Sequence, residues 1–256
     1  MRGWSDLTVK TNHIRIKSFF NWLKTQYNDF YVELSLAGSY KRNVNTDSFT
    51  QMEVRQIQLF IDNHRYSMKW GWFIDILIIL LETGCRLGEC VNMRVKDYDR
   101  VFGTLKLCGK GNKTRTVYVK SPNSLYILHS RIYINGVKKD KSHYIFHKLY
   151  YKKDPLKVDV YIKNEKIEKP YSKSGIDHKF KKMVRKLNLN DNLSPHSCRR
   201  FFITEMLKAT NGNVPLVAEL VGHSSWDMVK HYTKSVINND SIVNVDFEKL
   251  RPRFTI

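Results

Sequence analysis

The chain is short of acid. Asp and Glu total 24 against 44 Lys and Arg in 256 residues, a formal net charge of +20. That imbalance attracts polyanions, and counterions released from a phosphate backbone would drive their binding. A basic membrane-surface protein or a ribosomal protein would carry the same excess, so charge narrows only the class of partner, with nucleic acid leading. Cysteine is also scarce: Cys85, Cys90, Cys108 and Cys198 form no CxxC pair, and no His/Cys group has zinc-finger spacing. This argues against a disulfide framework or a structural zinc, and for reduced thiols in a cytoplasmic protein. Long apolar runs are missing too. The opening Met1-Arg-Gly-Trp-Ser-Asp6 has no apolar signal core, and the greasiest stretch, Trp70 to Leu81, contains Asp75 and is too short to span a bilayer. No membrane partner is expected. There is no internal repeat.

What is present is enough apolar residue (42%) to bury the core of one catalytic domain with a short appendage. Residues 8–27 space Val9, Ile16, Phe19, Phe20 and Leu23 for a helix, and Gly, Ser, Asn and Asp in 35–48 mark a linker. Helices are expected over about 50–63, 68–82 and 86–95, with Gly84 stopping the second. Alternation in 104–107 and 114–119 around Cys108-Gly-Lys-Gly-Asn-Lys113 predicts a β-hairpin. Between Lys148 and Lys186 there are 13 Lys/Arg and 5 Asp/Glu. Its first part, 150–173, reads as a loop or short strands near DNA, and 174–187 as a basic amphipathic helix that would equally suit a solvated face. Ser194 and Pro195 are a cap and first position for a helix running to Ala209, a short helix at 215–221 ends at Gly222, and Ser224 or Ser225 caps a last helix. The expected fold is α+β, mainly α, with one small antiparallel sheet.

Breaking a phosphodiester without metal or water needs a nucleophile, cations on the phosphoryl oxygens and an acid for the leaving 5′ oxygen. Arginine suits the clamp because its planar fork stays charged and donates two parallel bonds. A phenolate suits the nucleophile because it is also a fair leaving group. Arg86, in Thr83-Gly-Cys-Arg-Leu-Gly-Glu89, would alone pass for a surface arginine, and His223 for a loop histidine. Tyr232 is one of 14 tyrosines. His196 and Arg199, three apart on a capped helix, point at one spot.

Taken in order, Arg86, Lys110, His196-x-x-Arg199, His223 and Tyr232 with these surroundings resemble the tyrosine recombinases, including the Xer and phage-integrase branches. TGCRLGE, GKGNKTRTVYV, SPHSCRR and VGHSSWDMVKHYTK each look like one box of that family, with Lys110 24 residues after Arg86 and Tyr232 nine after His223. With each fixed residue occurring about once in twenty positions, joint coincidence is on the order of one in a million. The resemblance implies a site-specific recombinase or integrase with the DNA breaking-rejoining fold. It implies a 3′-phosphotyrosine at Tyr232, a clamp of Arg86 and Arg199, and proton handling by His196 and His223. Lys110 would be the general acid, with Lys113 the alternative, and Glu89 would brace the first box. No cofactor, metal or ATP is implied. Partners would be double-stranded DNA at a specific site, copies of the chain in a synaptic tetramer, and accessory DNA-bending proteins. The place of action would be the cytoplasm, on nucleoid, viral or mobile-element DNA.

Where many relatives read H-x-L-R-H, this chain has Cys198 and Arg200; neither change removes a catalytic group. Residues 8–27 resemble only the last helix of the family's core-binding domain, so 1–46 is expected to be a short helical remnant with a linker and 47–256 the catalytic domain with a C-terminal tail. That short front is a compact variant, a truncated gene or a fragment. The apolar tail residues Ile242, Val243, Val245 and Phe247 are expected to dock on a neighbouring protomer or fold back on their own domain. Two other functions compete. A type IB topoisomerase is similar in chemistry but usually has lysine at the position of His196, and a DNA-binding remnant would have no reason to keep all six positions.

Overall fold

The apolar stretch ahead of Gly84 becomes the helix around which the second unit is built. In the computed structural model the described residues are 6–27, 48–109, 113–134, 137–138, 140–153, 161–222 and 229, and the chain divides into two units, Met1–Asn45 and Thr46–Ile256. In the first unit α1 (Asp6–Gln26) presents Ile14, Phe19 and Trp22 on its surface, with Phe19 and Trp22 stacked.

The second unit opens with α2 (Gln51–His64), begun by a capping box: Thr50 Oγ1 accepts from Glu53 N–H and Glu53 Oε2 accepts from Thr50 N–H at 2.8 Å. Next comes α3 (Gly71–Thr83), apolar nearly all round and buried from Phe73 to Leu80 except at Asp75. It packs against α5 (Pro122–Ile132) and α7 (Pro195–Ala209). Its two acids are satisfied by α5. Arg131 Nε donates to Asp75 at 3.0 Å, and Glu82 accepts from Ser121 N–H at 2.8 Å and from the hydroxyls of Ser121 and Ser124. A carboxylate on the central helix thus caps the start of its neighbour.

Beyond Gly84 lie α4 (Leu87–Val91) and a 3-10 turn at Val95–Asp97. A three-stranded antiparallel sheet follows, β1 (Tyr98–Asp99), β2 (Thr104–Cys108) and β3 (Thr114–Tyr118), in that order. Leu105 faces Val117 and Leu107 faces Arg115, so the strand period of two puts Arg115 on the inward side with Val117. A two-residue pair, β4 (Tyr133–Ile134) with β5 (Val137–Lys138), and a longer antiparallel pair, β6 (His147–Lys153) with β7 (Tyr161–Pro170), come next. The basic α6 (Lys173–Lys186) buries Ile176, Phe180, Met183 and Val184. After α7 comes α8 (Val214–Val221), ended by Gly222.

The mainly helical architecture with a small antiparallel sheet is the one expected. Three differences matter. The helix expected over 86–95 stops at Val91, after which Arg94 pairs with Tyr144 in an isolated bridge. β6 and β7 form a strand pair where a loop or short strands were expected over 150–173, and α5 was not foreseen despite its Ser121 cap and Pro122. The linker expected over 35–48 lies almost wholly outside the described residues, and the last helix and the tail lie outside them apart from buried Val229. No helix among the described residues is long and apolar enough to cross a membrane.

Gly84 closes α3 in the left-handed region (φ 58°), and a Cβ there would lie 2.4 Å from Phe202 Cδ1. Gly84→Ala should therefore lower the unfolding free energy by roughly 2–5 kcal/mol, combining about 1–2 for the backbone with about 1–3 for the clash. Gly212 also has positive φ (79°) but open space around it, so Gly212→Ala should show the backbone part alone. Urea unfolding followed by tryptophan fluorescence measures both; equal losses would remove Phe202 from the argument.

A candidate phosphate-binding active site

Arg86 follows the stop of α3 and caps α4 in extended conformation. Its backbone N–H donates to Glu89 Oε2 at 2.8 Å and its Nη1 to Glu89 Oε1 at 3.0 Å. Glu89 is buried, so two bonds do not exhaust its need for donors. The rest come from β3: Arg115 lays both guanidinium nitrogens on the carboxylate, Nη1 to Oε1 at 3.0 Å and Nη2 to Oε2 at 2.8 Å. Burial alone would raise the Glu89 pKa, but the bonds from Arg115 and Arg86 outweigh it and hold the group at about 2. The two arginines differ in freedom. Arg115 keeps 12% of its side-chain surface in solvent and Arg86 keeps 43%, so Arg86 has donors left for a ligand while Arg115 is spent on support.

The second half comes from α7. Lys181 Nζ donates to the carbonyls of Asp191 and Leu193, holding the loop before the helix, and Ser194 N–H donates to Ser197 Oγ at 3.1 Å. Pro195 takes the first helical position, placing His196 and, one turn on, Arg199. Arg199 is 1% exposed; its Nη1 donates to Gly84 O at 2.7 Å and its Nη2 to Val221 O at 2.5 Å. One guanidinium therefore ties α7 to the ends of α3 and α8. Its buried Nε has no hydrogen-bond partner among the described residues. Burial, with Arg86 and Arg115 nearby, lowers its pKa to about 9, which leaves it charged at neutral pH.

His196 keeps contact with solvent, yet packing about its ring disfavours the charged form. The guanidinium groups of Arg200, Arg199 and Arg86 disfavour it further, and its pKa falls to about 4. At neutral pH it is an uncharged imidazole with a lone pair to offer.

The structure thus brings together Arg86, Glu89, His196 and Arg199. Lys110, His223 and Tyr232 lie outside the described residues. Their neighbours do not: a Cβ on Gly109 would lie 3.2 Å from Glu89 Oε1, and one on Gly222 2.8 Å from Arg115 Cδ. Lys113, the alternative acid, is exposed, and its carbonyl accepts from Gly109 N–H. Arg115 escaped the reading of the sequence although its signal was there. Alternation across 114–119 turns it inward with Val117, and a cation facing a core needs an anion. Two guanidinium groups saturate one carboxylate and a third, Arg199, lies within electrostatic reach of it, so the cluster carries surplus positive charge suited to an anion with several oxygens.

A family profile described as "Phage integrase family" matches residues 48–238. Tyrosine recombinase XerC of Listeria monocytogenes serovar 1/2a is 30% identical over 239 residues, 91% of this chain and 72% of that protein. Tyrosine recombinase XerD of Staphylococcus haemolyticus is 28% identical over 163 residues, 62% of this chain. With XerD and several other curated relatives the match spans only about half of the relative's length (48% for XerD). Among solved structures, the XerH site-specific recombinase bound to difH substrate superposes with a TM-score of 0.60 at 18% identity, covering 93% of this chain and 66% of that one. The Tn1549 transposon integrase with circular intermediate DNA does so at 0.59 and 18%, covering 92% and 80%. At such identities these two show the fold.

The Arg115 fork has a measurable consequence. A carboxyl whose folded pKa is depressed contributes stability that is present above about 4.5 and is lost as pH falls toward about 2. The shift corresponds to about 3 kcal/mol at neutral pH. Arg115→Met should raise the Glu89 pKa, so acid unfolding begins at higher pH and stability at pH 7 falls by part of that amount, the bonds from Arg86 remaining. Urea unfolding across pH 2–7 tests this; an acid transition superimposable on wild type would mean that Arg115 does not hold the carboxylate.

Proposed function

Since this chain belongs to the phage integrase family, we propose that it is a site-specific DNA recombinase that cuts and rejoins strands through a 3′-phosphotyrosine at Tyr232. The observation that supports it best is the charge surplus around Glu89: its carboxylate is already saturated by Arg86 and Arg115, Arg199 donates to backbone carbonyls, and the partly exposed Arg86 keeps donors beyond its bonds to Glu89.

On this reading Arg86 and Arg199 clamp the non-bridging oxygens of the scissile phosphate. Arg199 spends two of its five N–H donors on backbone carbonyls, which fixes the plane of the guanidinium before substrate arrives. The Tyr232 oxygen attacks phosphorus, the new O–P bond forms as the bond to the 5′ oxygen breaks, and Lys110 gives that oxygen its proton. Neutral His196, with His223, hydrogen-bonds the phosphoryl oxygens and helps take the phenolic proton. Rejoining is the same step reversed, the bond energy having been kept in the tyrosine linkage. No metal or nucleotide takes part.

The proposed partner is duplex DNA at a specific site; among the similar proteins, the XerH site-specific recombinase is bound to difH substrate and the Tn1549 integrase is in complex with circular intermediate DNA. Assembly into a synaptic tetramer, help from DNA-bending proteins and docking of the 235–256 tail on a neighbour follow as proposals from the family. So do the division into a core-binding remnant (1–46) and a catalytic domain (47–256), and an intracellular place of action.

A nicked "suicide" duplex bearing the target site tests the chemistry. Wild type should form a covalent adduct in EDTA, and Tyr232→Phe should lose it while binding DNA nearly as well. Arg86→Lys and Arg199→Lys keep charge but lose the fork, and should each slow cleavage roughly a hundredfold or more, in line with about 2.7–4 kcal/mol for one transition-state donor. An adduct mapped to another tyrosine, or an absolute need for magnesium, would overturn the assignment.

A further inference from the structure

Gly88 stands in the first turn of α4, between Arg86 and Glu89, in helical conformation where alanine would be the better helix former. Its backbone geometry does not require glycine. What alanine would meet there is Lys173: a Cβ on Gly88 would lie 2.9 Å from Lys173 Nζ and 3.0 Å from Cε. The ammonium of Lys173 therefore rests on the bare backbone of α4, two residues from the arginine of the proposed clamp.

Lys173 is poorly placed for stability alone. It occupies the first turn of α6, where a cation opposes the helix dipole and where no acidic residue offsets it. It is exposed, and among the described residues it makes no hydrogen bond or ion pair. Glu89, the acid beside Gly88, is taken by Arg86 and Arg115, and Asp177, one turn along α6, forms no ion pair with Lys173. A lysine set against the dipole, without a counter-charge and accommodated by a glycine, is accounted for by an anion supplied from outside.

We propose that Lys173 is a DNA-phosphate contact of the active-site face, neutralising a backbone phosphate beside the one held by Arg86, and that Gly88 stays bare so that the ammonium can reach it. This rests on the recombinase reading but adds a residue outside the family boxes. The contact is electrostatic, so its mark is the number of counterions released. Each phosphate neutralised on duplex DNA contributes about 0.9 to the slope of log K against log salt concentration.

Fluorescence anisotropy with a labelled random-sequence duplex at several salt concentrations measures that slope. Lys173→Gln should lower its magnitude by about 0.9 and Lys173→Arg should keep it. Gly88→Ala, where only a flexible side-chain end must move, should give the same loss by displacing Lys173. The double variant should lose no more than either single one. Thermal melts establish that each variant is folded. A wild-type slope retained in Lys173→Gln overturns the contact, and additive losses overturn the role of Gly88. A wild-type protein that fails to bind duplex at all overturns the recombinase reading, and this one with it.

Discussion

One buried carboxylate sets the terms for the site. Glu89 lies on a helix of only five residues, too short to hold its own position, and it is fixed by four bonds from Arg86 and Arg115. Removing a charge from water is expensive, and pairing offsets the cost only when geometry is good and the remaining lone pairs are used. Both conditions are met here. The arrangement locks β3 to α4, because a slip of one residue along the strand would turn Arg115 outward and leave Glu89 with the donors of Arg86 alone. The network is thus better understood as fixing register than as adding net stability.

Arg199 does for helices what Glu89 does for the hairpin. A buried guanidinium with no acid of its own must find acceptors, and the acceptors are the carbonyl ends of α3 and α8. Both helices stop at a glycine in the left-handed region, Gly84 and Gly222, so their last carbonyls are freed from helical bonding and turned toward one cation. The same glycines give up their Cβ to neighbours, Gly84 to Phe202 and Gly222 to Arg115. Helix termination, close packing and the seating of an arginine are one event.

Those terminators are why so much was legible in the sequence. Ser194-Pro195 and the two glycines announce helix ends by local sterics and local hydrogen bonding, which a short window of residues contains. Arg86, His196 and Arg199 were named from motif order, and the structure does bring them together. What escaped reading depended on distant partners. The capping of α5 by Glu82 joins residues 39 positions apart, and the fork from Arg115 to Glu89 joins residues 26 apart. Between Lys148 and Lys169, lysine and tyrosine blur the alternation that would mark strands, so β6 and β7 had no clear period. The resemblance to the recombinases named Lys110, His223 and Tyr232, which lie outside the described residues.

The cluster is electrostatically strained in one direction. Burial and neighbouring cations lower the proton affinity of Arg199 to about 9, and local packing about a partly solvated ring, with nearby guanidinium groups, lowers that of His196 to about 4, so both are poorer bases than they would be in water. On the recombinase reading, a bound phosphate would relieve this and raise both proton affinities together. Phosphate binding and proton uptake at His196 are then thermodynamically linked: each favours the other by the same factor. An imidazole that is neutral before substrate arrives and more basic once the phosphate is seated takes up a proton at the point where a tyrosine must lose one. On the recombinase reading, the low proton affinity of His196 before substrate arrives would couple activation of the nucleophile to the arrival of DNA.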